Sequence, residues 1–271
     1  MPELPEVEIT RLGIQPYVEN QIITQIIIRQ YQLRWLIPDH LVQQLPGKRV
    51  QKITRRGKYL LFEFEQGSLI LHLGMSGSLR ILQHMVPPKK HDHVDIEFDH
   101  NTILRFTDPR RFGAILWIDG DYSQHSLLTK LGLEPLTADF SAAYLWDTAQ
   151  SRKKSIKSFI MENGVVVGVG NIYAAEALFL AGIHPTRPAC LVSKTEMAKL
   201  VEAIKKILHQ AIQQGGTTLK DFVNSDGKPG YFSQRLQVYG RNGLPCLACK
   251  KTLQSMRIGQ RSTVYCSSCQ L

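Results

Sequence analysis

The sequence predicts an α+β multidomain chain with an N-terminal β-sandwich, a helical middle and a C-terminal zinc β-ribbon. Three observations predict it. Strand-like runs follow one another from about residue 20 to 120, the apolar period turns helical after about residue 130, and four cysteines close the chain in two matched pairs. At 271 residues there is room for two domains and a small appendage. The expected parts are 1–130, 131–236 and 237–271.

In the first part, Val94–Phe98 alternates apolar and polar residues, and Tyr59–Glu65 does so from Phe62 onward after an apolar run. Ile22–Ile28, Ser68–Leu73, Thr102–Phe106 and Ala114–Ile118 are further strand candidates, separated by Gly, Pro and Asp. Many short strands with turn residues between them fold as a sandwich or barrel. The clearest helix is 194–214, with Met197, Leu200, Val201, Ile204, Ile207, Leu208, Ala211 and Ile212 on one stripe. Ser193 and Glu196 form a capping box at its start, and Gly215-Gly216 stops it. A second helix, Ile172–Ala181, ends at Gly182. Residues 216–240 read as a long loop into the ribbon, a length that is usually functional.

Cys246, Cys249, Cys266 and Cys269 stand as C-x2-C-x16-C-x2-C. Two short knuckles on a returning ribbon give a zinc ion four thiolates in a closed, structural site. Two disulfides are the weaker reading, because no apolar signal segment precedes the fold and only Cys190 remains as a further cysteine. From Lys228 to Leu271 there are seven basic residues and no acidic one, and the chain carries +10. That balance is the footprint of a nucleic-acid binder with salt-dependent affinity. No apolar run reaches membrane-spanning length. The expected location is the cytoplasm, associated with the nucleoid. His93, Asp95 and His184 are read as structural rather than as a second metal site.

The N-terminus reads Met1-Pro2-Glu3-Leu4-Pro5-Glu6. Removal of Met1 leaves Pro2 with a free secondary amine whose pKa lies near ~8, so a useful fraction is unprotonated at neutral pH. Such an amine can attack a sugar carbon and form an iminium, and Glu3 is placed to move the proton. The competing reading is plain helix-start chemistry, with Pro5 in the first turn and Glu6 and Glu8 at the positive end.

PELPEVE at 2–8, RRGKYL at 55–60, HLGMSGSLR at 72–80, KHDHVD at 90–95, TDPRRFGA at 107–114, GVGNIYAAEAL at 168–178, GGTTLKDF at 215–222, LQVYGR at 236–241 and the cysteine quartet run in order along the chain. Together they resemble the bacterial formamidopyrimidine-DNA glycosylase (Fpg) family. Leu4 separates the opening from that of the related endonuclease VIII branch, which usually reads Pro-Glu-Gly-Pro-Glu.

The resemblance implies a bifunctional base-excision-repair enzyme. It would remove oxidised purines such as 8-oxoguanine and formamidopyrimidines from double-stranded damaged DNA, then cut the abasic site by β,δ-elimination, acting as a monomer. It implies Pro2 as the nucleophile at C1′, Glu3 as the acid that assists sugar-ring opening and Lys58 as a cation in a tight hairpin. Arg261 would lie on the phosphates, where stabilising the leaving phosphate suits a guanidinium better than proton donation. The middle part would be a helix–two-turn–helix domain, with DNA across the cleft between the two larger parts. Met75, Arg110 and Phe112 would fill the gap left by a flipped nucleotide. His72, His91, Lys153 and Asn171 would contact phosphates. The 216–234 loop would cover the extruded base, with Thr217, Lys220 and Tyr231 lining its pocket. Arg152, Lys153, Lys154 and Lys157 are read as a candidate helix bearing a largely solvated run. Two other readings stand beside this one: an endonuclease VIII-like enzyme for oxidised pyrimidines, and a non-catalytic zinc-dependent DNA-binding protein.

Overall fold

The computed structural model describes residues 1–217 and 232–271. Its described residues fall into two compact units, one of residues 1–129 and 214–217, the other of 130–213 and 232–271.

The first unit opens with helix α1 (Leu4–Val18), capped by Glu3 and carrying Pro5 in its first turn. Then follow β1 (Ile23–Ile28), a one-turn α2 (Leu41–Gln44), β2 (Lys52–Arg56), β3 (Tyr59–Phe64), β4 (Gly67–His72), β5 (Ser78–Leu82), β6 (Asp92–Phe98), β7 (Ile103–Thr107), β8 (Ala114–Asp119) and a short α3 (Ser126–Thr129). The strands make two four-stranded antiparallel sheets, ordered β1-β6-β7-β5 and β2-β3-β4-β8. Their inner faces share one core, including Val7, Ile14, Ile26, Ile53, Leu60, Phe62, Leu71, Leu79, Ile96, Leu104, Phe106 and Ile115. This is the sandwich that the alternation predicts, and α1 packs against β2, β3 and β5.

β2 and β5 are not legible as strands. In β2 only Ile53 is buried among Lys52, Thr54, Arg55 and Arg56, so its apolar signal is one residue deep. Arg105 on β7 is 2% exposed and grips Asp95 on β6 with two bonds of 2.8 and 2.7 Å. Burial alone would raise the Asp95 pKa, but Arg105 and Arg29 hold it below the usual carboxylate value. Asp95 is thus spent on structure.

The second unit contains α4 (Ala142–Ala149), α5 (Ile156–Ile160), α6 (Asn171–Ala181), α7 (Lys194–Gln213) and the ribbon strands β9 (Gln254–Ile258) and β10 (Arg261–Tyr265). The α7 stripe is buried as its spacing predicts except for Ile212 in the last turn, which is half-buried, and the Ser193–Glu196 capping box is present in both directions, at 3.3 and 2.9 Å. Gly182 ends α6 in the left-handed conformation (φ +72°), where glycine meets no Cβ penalty. Among the described residues no helix is long and apolar enough to cross a membrane.

Candidate active site and nucleic-acid interface

Strand register gathers most of the predicted residues of the first unit at one end of its sheets. Arg56 pairs with Tyr59, so Gly57-Lys58 is a two-residue hairpin turn, with Gly57 at φ +58°. Tyr59 pairs with His72, and His72 with Ala114. Met75 therefore follows β4, and Phe112 precedes β8, at the end where Lys58 stands. Thr107 pairs with both Ser78 and Asp92, which brings Asp108 beside Ser76 and His91. His93 is the extra residue of a bulge in β6, and its Nε2 lies 2.8 Å from the Asp108 carbonyl.

A cavity of about 540 Å³ opens here, lined by Met1, Leu33, Arg34, His72, Gly74, Met75, Arg111 and Phe112. Met75 and Phe112 are 36% and 43% exposed, so neither is core packing. The Arg110 guanidinium lies 4.9 Å from the Phe112 ring centroid. Gly74 has φ +66°, and a Cβ there would lie 2.4 Å from the Phe112 carbonyl carbon, so the two loops touch through their backbones.

His72 sits under Lys58 and Arg34. Burial, then those two cations, push its pKa down to about 4. Its Nδ1 accepts the Gly74 N–H at 3.0 Å, so the neutral ring carries its proton on Nε2. The neutral His72 ring thus offers one N–H donor, with the Lys58 and Arg34 cations close enough to act on it. Arg34 is a cavity residue that sequence reasoning missed; one arginine in an irregular segment gives no periodic signal.

Pro2 and Glu3 are buried under the exposed Met1. The Glu3 N–H donates to Glu6 Oε2 at 2.8 Å. Glu6, read from sequence as a helix-end charge, is fully buried, and its Oε1 accepts both the N–H (3.0 Å) and the hydroxyl (2.8 Å) of Thr217. Thr217 is thereby tied to the helix that carries Pro2 and Glu3. Lys220 and Tyr231 lie outside the described residues. His91 is half-buried, its carbonyl accepting the Asp108 N–H at 3.0 Å.

In the second unit, Arg261 follows Gly259 (φ +53°) and Gln260 (φ +69°), a two-residue ribbon tip, and is exposed. Lys153 is exposed just before α5. The expected basic helix is corrected here. Ser155 caps α5, so Arg152, Lys153 and Lys154 precede the helix, and Lys157 within it is 1% exposed. Lys157 Nζ donates to Asn171 Oδ1 and Thr263 Oγ1, both at 2.7 Å, joining α6 to β10. Asn171 Nδ2 donates to the Ser262 carbonyl at 3.1 Å. A charge run with one buried member hides it, because lysine is so rarely buried.

The four cysteine sulfurs lie within 4.8 Å of one another, with Cys246–Cys269 at 3.9 Å and Cys249–Cys266 at 3.4 Å. A tetrahedral zinc with Zn–S near ~2.3 Å sets S···S near ~3.8 Å, so the quartet fits the ion. The thiols need a cation to ionise together: the Lys251 N–H draws Cys249 down to about 7, while burial and the neighbouring sulfurs push Cys269 up to about 12. With four sulfur ligands the site is closed, and one structural zinc is the cofactor. Glu176 on α6 anchors the ribbon's approach, accepting the N–H groups of Gln237, Val238 and Tyr239 at 2.8–2.9 Å.

Three family models match in order: the formamidopyrimidine-DNA glycosylase N-terminal domain at residues 1–115, its H2TH domain at 131–223, and the zinc finger found in FPG and IleRS at 243–271. The chain belongs to the formamidopyrimidine-DNA glycosylase family. The formamidopyrimidine-DNA glycosylase of Hydrogenovibrio crunogenus is 57% identical over all of this chain and 96% of its own length. That of Photobacterium profundum is 56% identical over the full length of both. Among solved structures, the MutM (Fpg) protein from Thermus thermophilus has a TM-score of 0.88 at 37% identity, covering 99% of this chain and 98% of its own. The Lactococcus lactis Fpg in complex with abasic-site DNA has a TM-score of 0.91 at 34% identity and 99% coverage of both chains. The chain is a DNA glycosylase of base excision repair, and AP lyase activity is a general property of its family.

Proposed function

We propose that this chain binds damaged double-stranded DNA as a monomer, removes oxidised purines and cuts the resulting abasic site through a Schiff base on Pro2. Once Met1 is removed, the Pro2 amine attacks C1′. The glycosidic bond breaks, and the base leaves with its electron pair and takes up a proton. Glu3 protonates the sugar ring oxygen as the ring opens to the iminium. Loss of a 2′ proton then expels the 3′ phosphate, and a second elimination expels the 5′ phosphate. Lys58 and Arg261 lower the charge on these leaving phosphates.

His72, His91, Lys153 and Asn171 contact the backbone around the lesion, and Met75, Arg110 and Phe112 fill the vacated stack. Arg110 offers donors to the orphaned partner base, for which cytosine is the expected match. The observation that carries this reading is the cavity that Met1 shares with His72, Gly74, Met75 and Phe112. The residue whose removal exposes the nucleophile borders the expected wedge.

The test compares Met1-processed protein on duplexes bearing 8-oxoguanine or thymine glycol. Faster excision of 8-oxoguanine opposite cytosine is the expected result. Faster excision of thymine glycol would assign the chain to oxidised pyrimidines, and binding without excision of either would make it a non-catalytic binder.

A further inference from the structure

Met75 stands on one loop, and Arg110 and Phe112 on another, yet one carboxylate holds both loops. Asp108 is fully buried, and its Oδ1 accepts the Ser76 hydroxyl at 2.7 Å and the Arg110 N–H at 3.3 Å. Its Oδ2 accepts the Gly113 N–H at 2.7 Å. Ser76, 2% exposed, closes the ring by accepting the Arg110 N–H at 3.2 Å. The Asp108 main chain is fastened as well. Its N–H reaches the His91 carbonyl at 3.0 Å, and its carbonyl lies 2.8 Å from His93 Nε2 and 3.2 Å from the Arg111 nitrogen.

Two further facts show that this ring has work to do. Arg111, between the two wedge residues of its loop, sits at φ +56°, a conformation a non-glycine residue keeps only where its surroundings impose it. Met75 and Phe112 are too exposed to be held by burial of their own tips. Their order comes from beneath, from main-chain contacts and from the Asp108 side chain, which bonds to both loops.

We infer that Asp108, with Ser76, is a positioning pair that fixes Met75, Arg110 and Phe112 as one preorganised wedge for entry into the base stack. The inference rests on the wedge assignment proposed above. Neither residue touches the reacting atoms. Ordering two loops during folding, rather than during insertion, removes that entropy from the step that opens the duplex.

The experiment compares parent, Asp108→Asn and Ser76→Ala proteins on two substrates. One is a lesion duplex opposite cytosine, read by single-turnover excision. The other is a single-stranded abasic oligonucleotide, which has no stack to open, read by borohydride trapping. The expected result is a loss of about 10–100-fold on the duplex with single-strand trapping within about twofold of the parent. Equal losses on both substrates, or none on either, overturn the inference. Ser76→Ala deletes one hydroxyl and carries the test if Asp108→Asn does not fold.

A parent that traps no adduct would sink the Pro2 assignment but leave the wedge testable. A 2-aminopurine beside the lesion should brighten when the parent binds and stay quenched with either variant. Equal brightening in all three overturns the positioning role.

Discussion

In the ribbon, four side chains from two knuckles converge on one point, and any one of them can be identified by its spacing from the others. At the N-terminus the proposed reagent is a single main-chain nitrogen, legible only through the resemblance that PELPEVE helps to carry and exposed only by loss of the residue before it. The ribbon's four sulfurs lie within 4.8 Å of one another. The nitrogen is positioned indirectly, by the Glu3–Glu6–Thr217 bonds around the start of α1. A ligand cluster announces itself through redundancy, and a catalytic terminus through its surroundings.

The contrast can be broken most severely by keeping Met1. An uncleaved residue turns the Pro2 nitrogen into an amide, so strand cleavage should fall by about 10³-fold or more, while DNA affinity in a gel-shift titration stays within about threefold. Cys249→Ser attacks the other region. It removes one of four ligands from a site whose zinc binding is worth roughly 10–16 kcal/mol in comparable modules. DNA affinity should drop about 10–100-fold with the loss of the charged contact proposed for Arg261, while adduct formation on single-stranded abasic DNA survives. Retained affinity in the zinc-free variant would count against a DNA-binding role for the ribbon.

Gly74→Ala probes the scaffold between these extremes. Its Cβ would meet the Phe112 backbone at 2.4 Å from a φ of +66°, so thermal unfolding should show a loss of about 1–3 kcal/mol. The smallest effect concerns pH. Arg187 first, with Ser193, lowers the Glu196 pKa from 4.5 to about 2. A lowered carboxylate pKa contributes stability above pH 4.5 and loses it as pH falls toward 2. For this partly exposed pair the contribution is about 1 kcal/mol or less. Parent and Arg187→Ala proteins should therefore differ in melting temperature at pH 7 and converge near pH 2.

The strands of the sandwich were legible where alternation was clean, as in β6, or where an apolar run led into it, as in β3, and illegible where charge covered them, as in β2. The α7 stripe, its capping box and the zinc knuckles are local patterns, and the structure keeps each of them. The polar supports of the site were not legible. Asp108, Glu6 and Lys157 look like ordinary surface charges until register brings Ser76, Thr217 and Asn171 to them from distant parts of the chain. Exposure likewise separated Met75 and Phe112 from the core, a choice that residue type alone leaves open.

The account stands or falls on where the covalent bond forms. Met1-processed protein is mixed with abasic duplex DNA, reduced with borohydride, digested and mapped by mass spectrometry. The reduced sugar should be found on the peptide that begins at Pro2, and on that nitrogen. An adduct on Lys58, Lys157 or any other lysine, or no adduct from protein confirmed to begin at Pro2, would contradict it.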